Sequence, residues 1–136
     1  MKIYTKEWYR SGCTKHNQIT DKNYIDNDLI NLHDCQIISN DFPDARSQGK
    51  HILLLDNSGS MSNINKIVID NYTVLENCKL KNAWCIAEEL YKLDNGRYEL
   101  HLLTQYITKH NEELNYLTVK CKHIEFVGNG FHIEYK

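Results

Sequence analysis

Three pairs of residues spaced two apart carry the side chains best suited to chemistry: His33 with Cys35, Glu99 with His101, and Cys121 with His123. On a β-strand, residues i and i+2 leave the same face, so each pair can aim two ligand atoms at one ion. Imidazole, thiolate and carboxylate are groups that zinc accepts, which makes zinc the ion these six residues would take. The competing reading is structural, with the cysteines packed as small apolar groups and the histidines bonded to neighbours across a sheet. Free cysteine is among the most buried residue types, which favours the structural reading.

The stretch "ILLLDNSGSM" at 52–61 offers a carboxylate and two hydroxyls from Asp56, Ser58 and Ser60. "LLLDNSGSM" resembles the Asp-x-Ser-x-Ser segment of von Willebrand factor A domains. The resemblance implies that these three residues help hold a magnesium ion, a hard cation that takes oxygen ligands. Three features mark the match as coincidental. Too little chain follows Asp56 for that family's doubly wound α/β fold. The next segment, "NINKIVIDNYTV", is rich in β-branched residues and asparagine and reads as a strand where the family has a helix, although Met61, Ile64, Val68 and Tyr72 also fit helical spacing. Finally, no aspartate follows Asp94, and Gln105 in "LLTQY" stands where an acidic ligand is expected. Asp56, Asn57, Ser58 and Gly59 are therefore read as a turn held by side chain to backbone bonds, and magnesium is disfavoured.

Catalytic readings are weaker still. His33 and Asp34 are adjacent, and adjacent residues on a strand point to opposite faces, so a turn-capping role suits Asp34 better than acid/base work. Ser58 and Ser60 lack a G-x-S-x-G elbow, and Cys13 lacks recognisable catalytic surroundings, so the balance leans away from an enzyme.

The elements that must position these residues are mostly strands. Short apolar or alternating runs separated by Gly, Asn, Asp and Ser predict strands at 33–39, 50–56, 64–75 (with a break near Asp70 and Asn71), 83–92, 97–105, 114–124 and 131–135. Asp94, Asn95 and Gly96 supply a tight hairpin turn, and Asn129 with Gly130 repeats the device. Leu117, Val119, Cys121 and His123 are expected on one face of their strand, with Tyr116, Thr118, Lys120 and Lys122 on the other. Residues 41–49 read as a loop. Thr20 and Asp21 predict the cap of a short helix in which Ile25, Leu29 and Leu32 share a face. The expected fold is mainly β, α+β at most: an antiparallel sheet forming a sandwich or open barrel, with that short N-terminal helix.

The 136 residues fit one domain, 1–136, long enough to bury a sizeable core. With 16 basic and 18 acidic residues the net charge is −2 and the basic residues are scattered, which disfavours nucleic acid as a partner. No apolar run approaches bilayer length, so no membrane partner is expected and the cytoplasm is the default location. The five cysteines, Cys13, Cys35, Cys78, Cys85 and Cys121, show no C-x-x-C spacing and are expected as mostly buried thiols. Nine tyrosines, with Trp84 and Tyr98 near the central hairpin, suit a contact surface or, more readily, a small core.

The succession "NLHDCQI", "LLLDNSGSMSNINKIVI", "AWCIAEELYKLDNGRYELHLL" and "LTVKCKHIEF", over about residues 31 to 127, resembles a group of bacterial domains of unknown function. The resemblance implies a β-rich fold and a kinship with bacterial toxin-immunity and other accessory proteins, and it carries over no catalytic residue. The expected function is a non-enzymatic interaction module, of which an immunity-like role is one form, presenting a sheet face or edge to an unidentified protein partner. The alternative is a metal-dependent enzyme or metal-binding protein using His33, Cys35, Glu99, His101, Cys121 and His123 on adjacent strands. No obligatory cofactor is implied.

Overall fold

A computed structural model describes residues 23–39, 42–77, 83–107 and 112–136. Cys13, Cys78, and the helix cap expected at Thr20 and Asp21, lie outside them. Seven strands follow in chain order: β1 Gln36–Ser39, β2 Arg46–Asp56, β3 Ile64–Glu76, β4 Trp84–Lys92, β5 Tyr98–Ile107, β6 Glu112–Gly128 and β7 Phe131–Tyr135. Every pairing is antiparallel, in the order β3-β2-β1-β4-β5-β6-β7, and β3 also pairs with β6. That last pairing closes the sheet on itself. The mainly β, antiparallel expectation holds, with a closed ring of six strands in place of an open barrel.

Strand β6 makes closure possible through its length of 17 residues. One edge runs along β3 from Thr118 to Gly128; the other serves β5 from Glu112 to Cys121 and then β7 from Ile124 to Gly128. The ring is thinnest between β1 and β4, where a single register pair, Gln36 with Trp84, is supported by Cys85 N donating to Cys35 O and Ile37 N to Ala83 O, both at 2.7 to 2.8 Å. Alternate residues of each strand fill the interior: Leu53 and Leu55, Ile67 and Ile69, Leu100 and Leu102, Leu117 and Val119, all buried. Each such side chain contributes about 1.5 to 3 kcal/mol by leaving water.

The inward face changes parity midway along β3 and β6. In β3 the buried positions run Ile67, Ile69, then Tyr72; in β6 they run Leu117, Val119, Cys121, then Ile124 and Phe126. Asn71 sits at the change with φ 52, a left-handed conformation that asparagine tolerates, and Arg97 Nη2 donates to its carbonyl at 2.7 Å. The break expected near Asp70 and Asn71 is this point. It also corrects the expected face of β6, which holds from Leu117 to Cys121 but loses His123. At the far end of β6 the Asn63 carbonyl lies where a side chain on residue 128 would sit, so Gly128 is required there.

Other differences have local causes. Among the described residues there is no α-helix: Tyr24 bridges Tyr91, Ile25 N donates to Leu90 O, and the segment lies beside β4. Asn27 and Asn31 accept from the backbone amides of Leu29 and His33, competing with helix formation, and Leu29 is exposed while Leu32 is buried. β1 starts at Gln36 instead of residue 33, because Asp34 has φ 65 and turns the chain. β2 starts at Arg46, since an irregularity between Ser47 and Lys50 hides the alternation in the sequence. Both Gly-containing hairpins form as expected, with Gly96 at φ 83 and Gly130 at φ 69. No helix among the described residues is long and apolar enough to cross a membrane.

Candidate functional site

Of the three residue pairs singled out by spacing, one is brought into contact. Glu99 and His101 point outward from β5, and His101 Nε2 lies 2.6 Å from Glu99 Oε2. Their strand neighbours complete a grid on the outward face of β4, β5 and β6. One row is Glu89, His101 and Thr118; the next is Tyr91, Glu99 and Lys120; the row above is Ala87, Leu103 and Tyr116. Tyr91 donates its hydroxyl to Glu89 Oε2 at 2.9 Å, its ring packs 5.1 Å from that of His101, and Lys120 Nζ comes within 4.0 Å of Glu99 Oε1.

The whole grid except Tyr116 and Lys120 is buried, with Glu99 and His101 at 0% and 1% exposure. Burying a carboxylate without partners would cost several kcal/mol, so the imidazole and the ammonium group opposite it are what make the position tolerable. His101 Nδ1 has no hydrogen-bond partner. The groups have the right types for proton transfer, but a substrate cannot reach atoms from which solvent is excluded. The arrangement therefore reads as a structural network.

The other two pairs are separated. Cys35 and Cys121 face the barrel interior and are fully buried, as is Cys85, in keeping with the expectation of buried thiols. Burial pushes the Cys121 thiol up to about 12, against a partial lowering by the Arg97 cation, and burial raises Cys35 as well. Neither is a ready thiolate ligand or nucleophile. His33 lies outside in the turn before β1, its Nδ1 2.7 Å from the Ile86 carbonyl and its Nε2 3.5 Å from Asp34 Oδ2. The turn lets these two adjacent side chains meet, which a strand would not. His123 projects outward, because of the parity change, and its Nδ1 lies 3.3 Å from Asp70 Oδ2.

"DNSGS" is a self-bonded turn. Asp56 Oδ1 accepts from Ser58 N at 3.0 Å, Ser60 N donates to Asn57 O at 3.0 Å, and the Ser60 hydroxyl donates to the His33 carbonyl. Asn57 Nδ2 spans the loop to Ser62 O and Ile64 O. The backbone amide and then the hydroxyl of Ser58 hold the Asp56 carboxyl below its ordinary range. The Ser60 hydroxyl is thus committed to ordering the loop against β1.

Two features escaped the sequence reading. Ile38, Ile52, Leu54 and Trp84 are exposed on the outward side of β1, β2 and β4, at 47, 48, 47 and 38%. Alternation marks Ile52 and Leu54 as opposite in facing to Leu53 and Leu55, but in an all-apolar run it does not say which pair is inside. The second is a convergence of Glu125, His132 and Glu134, whose ligand atoms lie within 4.8 Å of one another, where β6 pairs with β7. The Asn129-Gly130 turn was the available signal, since a two-residue hairpin loop places Glu125 opposite Glu134. Comparison with protein families, curated proteins and solved structures finds no match to this chain.

Proposed function

We propose that the chain is a non-enzymatic protein-interaction module whose contact surface is the outward face of β1, β2 and β4. The observation that carries this reading is the clustering of Ile38, Ile52, Leu54 and Trp84 on adjacent strands, each more than a third exposed. Register places Ile38 beside Leu54, since Ile37 lies opposite Leu55 and Ser39 opposite Leu54; Val68 lies opposite Ile52, and Trp84 lies opposite Gln36, two residues before Ile38 along β1. Single exposed apolar residues are ordinary, but a contiguous group including a tryptophan marks an interaction site.

The remaining chemistry favours binding over catalysis. The Glu99–His101 pair is shut off from solvent, the Cys121 thiol is held protonated, and the Ser60 hydroxyl is tied to a backbone carbonyl. Lys66, opposite Leu54, and Lys50, next along β2 from Ile52 on the outward side, border the apolar patch and keep association selective. The occupant in this reading is a folded protein with a complementary apolar surface, and a toxin-immunity role would be one instance.

A photo-crosslinking residue at position 54, compared with one at Lys122, tests it in cells that make the protein. A partner is expected to crosslink from position 54 and to be lost when Trp84→Ala is added. Equal crosslinking from both positions would overturn the reading, and a product containing only a second copy of the chain would replace the partner by a homodimer.

A further inference from the structure

We infer that Glu125, His132 and Glu134 form a divalent-metal site, suited to zinc, on the outward face of the β6–β7 hairpin. This goes beyond the interaction reading and uses none of its residues. Strand register sets Glu125 directly opposite Glu134, and His132 leaves the same face two residues before Glu134, opposite Val127. The three ligand atoms lie within 4.8 Å of one another. The backbone beneath them is fixed by inward packing, with Ile124 and Phe126 fully buried and Ile133 and Tyr135 packed on the core, and by the turn at Gly130. Their positions are set by the sheet and not by a loop.

The donor atoms are held only by two long ion pairs. His132 Nε2 is 3.6 Å from Glu125 Oε2 and Lys136 Nζ is 3.7 Å from Glu134 Oε1, both too long for hydrogen bonds, and no described residue makes a hydrogen bond to the three side-chain groups. Two carboxylates directly opposite on neighbouring strands repel each other, and a shared cation is the arrangement that turns this repulsion into attraction. One imidazole and two carboxylates make a set that zinc accepts at about 2.0 to 2.2 Å, leaving a fourth tetrahedral position for water. His132 is half exposed and both glutamates are more than a quarter exposed, so rotation of the three side chains suffices to close on an ion.

Calorimetric titration of the full chain with zinc chloride in a non-chelating buffer tests the site, with thermal unfolding followed in parallel. One zinc per chain is expected, with a rise in unfolding temperature, because an ion bound to the native state alone stabilises it. His132→Ala and Glu134→Gln should each weaken binding at least tenfold, while His123→Ala and His33→Ala leave it unchanged. All four positions are on the surface, so the variants fold. No saturable binding, binding retained in both His132→Ala and Glu134→Gln, or binding lost only in His123→Ala would each overturn the assignment.

Discussion

Across β4, β5 and β6 the outward face carries Glu89, Tyr91, Glu99 and His101, and solvent reaches almost none of it; across β1 and β2 the outward face carries Ile38, Ile52 and Leu54, and each is about half exposed. Both regions break the usual match of polarity to burial, in opposite directions. A buried carboxylate must find its compensation within the chain, and Glu99 does so through His101 and Lys120. An exposed apolar row finds none within the chain, and only something docked from outside can take it from water. The first region accordingly belongs to the folding of the molecule, and the second is the face proposed above as its contact surface. Side-chain types alone made the Glu-His pair a candidate for chemistry, and its burial is what removes it from that role.

The sharpest test of the contrast is to break the buried pair. Glu99→Ala should cost about 3 to 5 kcal/mol, because it leaves His101 buried without its partner, whereas replacing both residues by leucine should recover a good part of the loss. Urea unfolding of the three proteins measures this. A cost below about 1 kcal/mol for Glu99→Ala would mean that the grid is in effect solvated, and its claim to be an active site would have to be reopened.

A smaller effect separates the inside of the barrel from its outside within two residues. Cys121 faces in and His123 faces out, across the parity change at Asn71. With the Cys121 thiol raised by burial from an ordinary 9.0 to about 12, the native state keeps its proton where the unfolded chain loses it. A group raised in this way contributes stability below its unfolded pKa, and that contribution is lost as pH climbs from about 9 towards 12. Roughly 1.4 kcal/mol should disappear between pH 8 and pH 10, with Cys35 acting in the same direction. Cys121→Ala lowers stability at neutral pH but should flatten the alkaline slope, as read from unfolding midpoints at a series of pH values. An unchanged slope would place this thiol in contact with water.

Much of the fold was legible because turns and alternation are local signals. Asn95-Gly96 and Asn129-Gly130 need only their own φ angles, and four of the seven strands, β3, β4, β5 and β7, lie within two residues at each end of where apolar periodicity puts them. Several of the failures have a different origin, in residues far away in the chain. The closure of β3 on β6 cannot be seen in either strand alone. The segment from Asn23 to Leu32 has helical spacing in Ile25, Leu29 and Leu32, yet a bond from Ile25 to Leu90 and local asparagine bonds override it. For the site, period two found Glu99 with His101 but could not tell that the pair is sealed from solvent. It also paired Cys121 with His123, unaware that Asn71 on another strand turns the face over. Glu125, His132 and Glu134 become neighbours only when the Asn129-Gly130 turn is used to count across the hairpin.

The smallest expected change in stability lies on the exposed face, and its smallness is the point. Leu54→Thr and Ile52→Thr keep strand-forming side chains at positions already about half in water, so each should shift unfolding free energy by no more than about 0.5 kcal/mol. The same substitutions should abolish crosslinking from neighbouring positions, because threonine removes apolar surface from the contact while leaving the barrel intact. A residue whose loss is neutral for folding and decisive for association is held at its position by the partner. If instead Leu54→Thr costs about 2 kcal/mol or more, the row is supporting the barrel through β1 and β4, where the ring is thinnest. The two outward faces would then differ in chemistry but not in purpose.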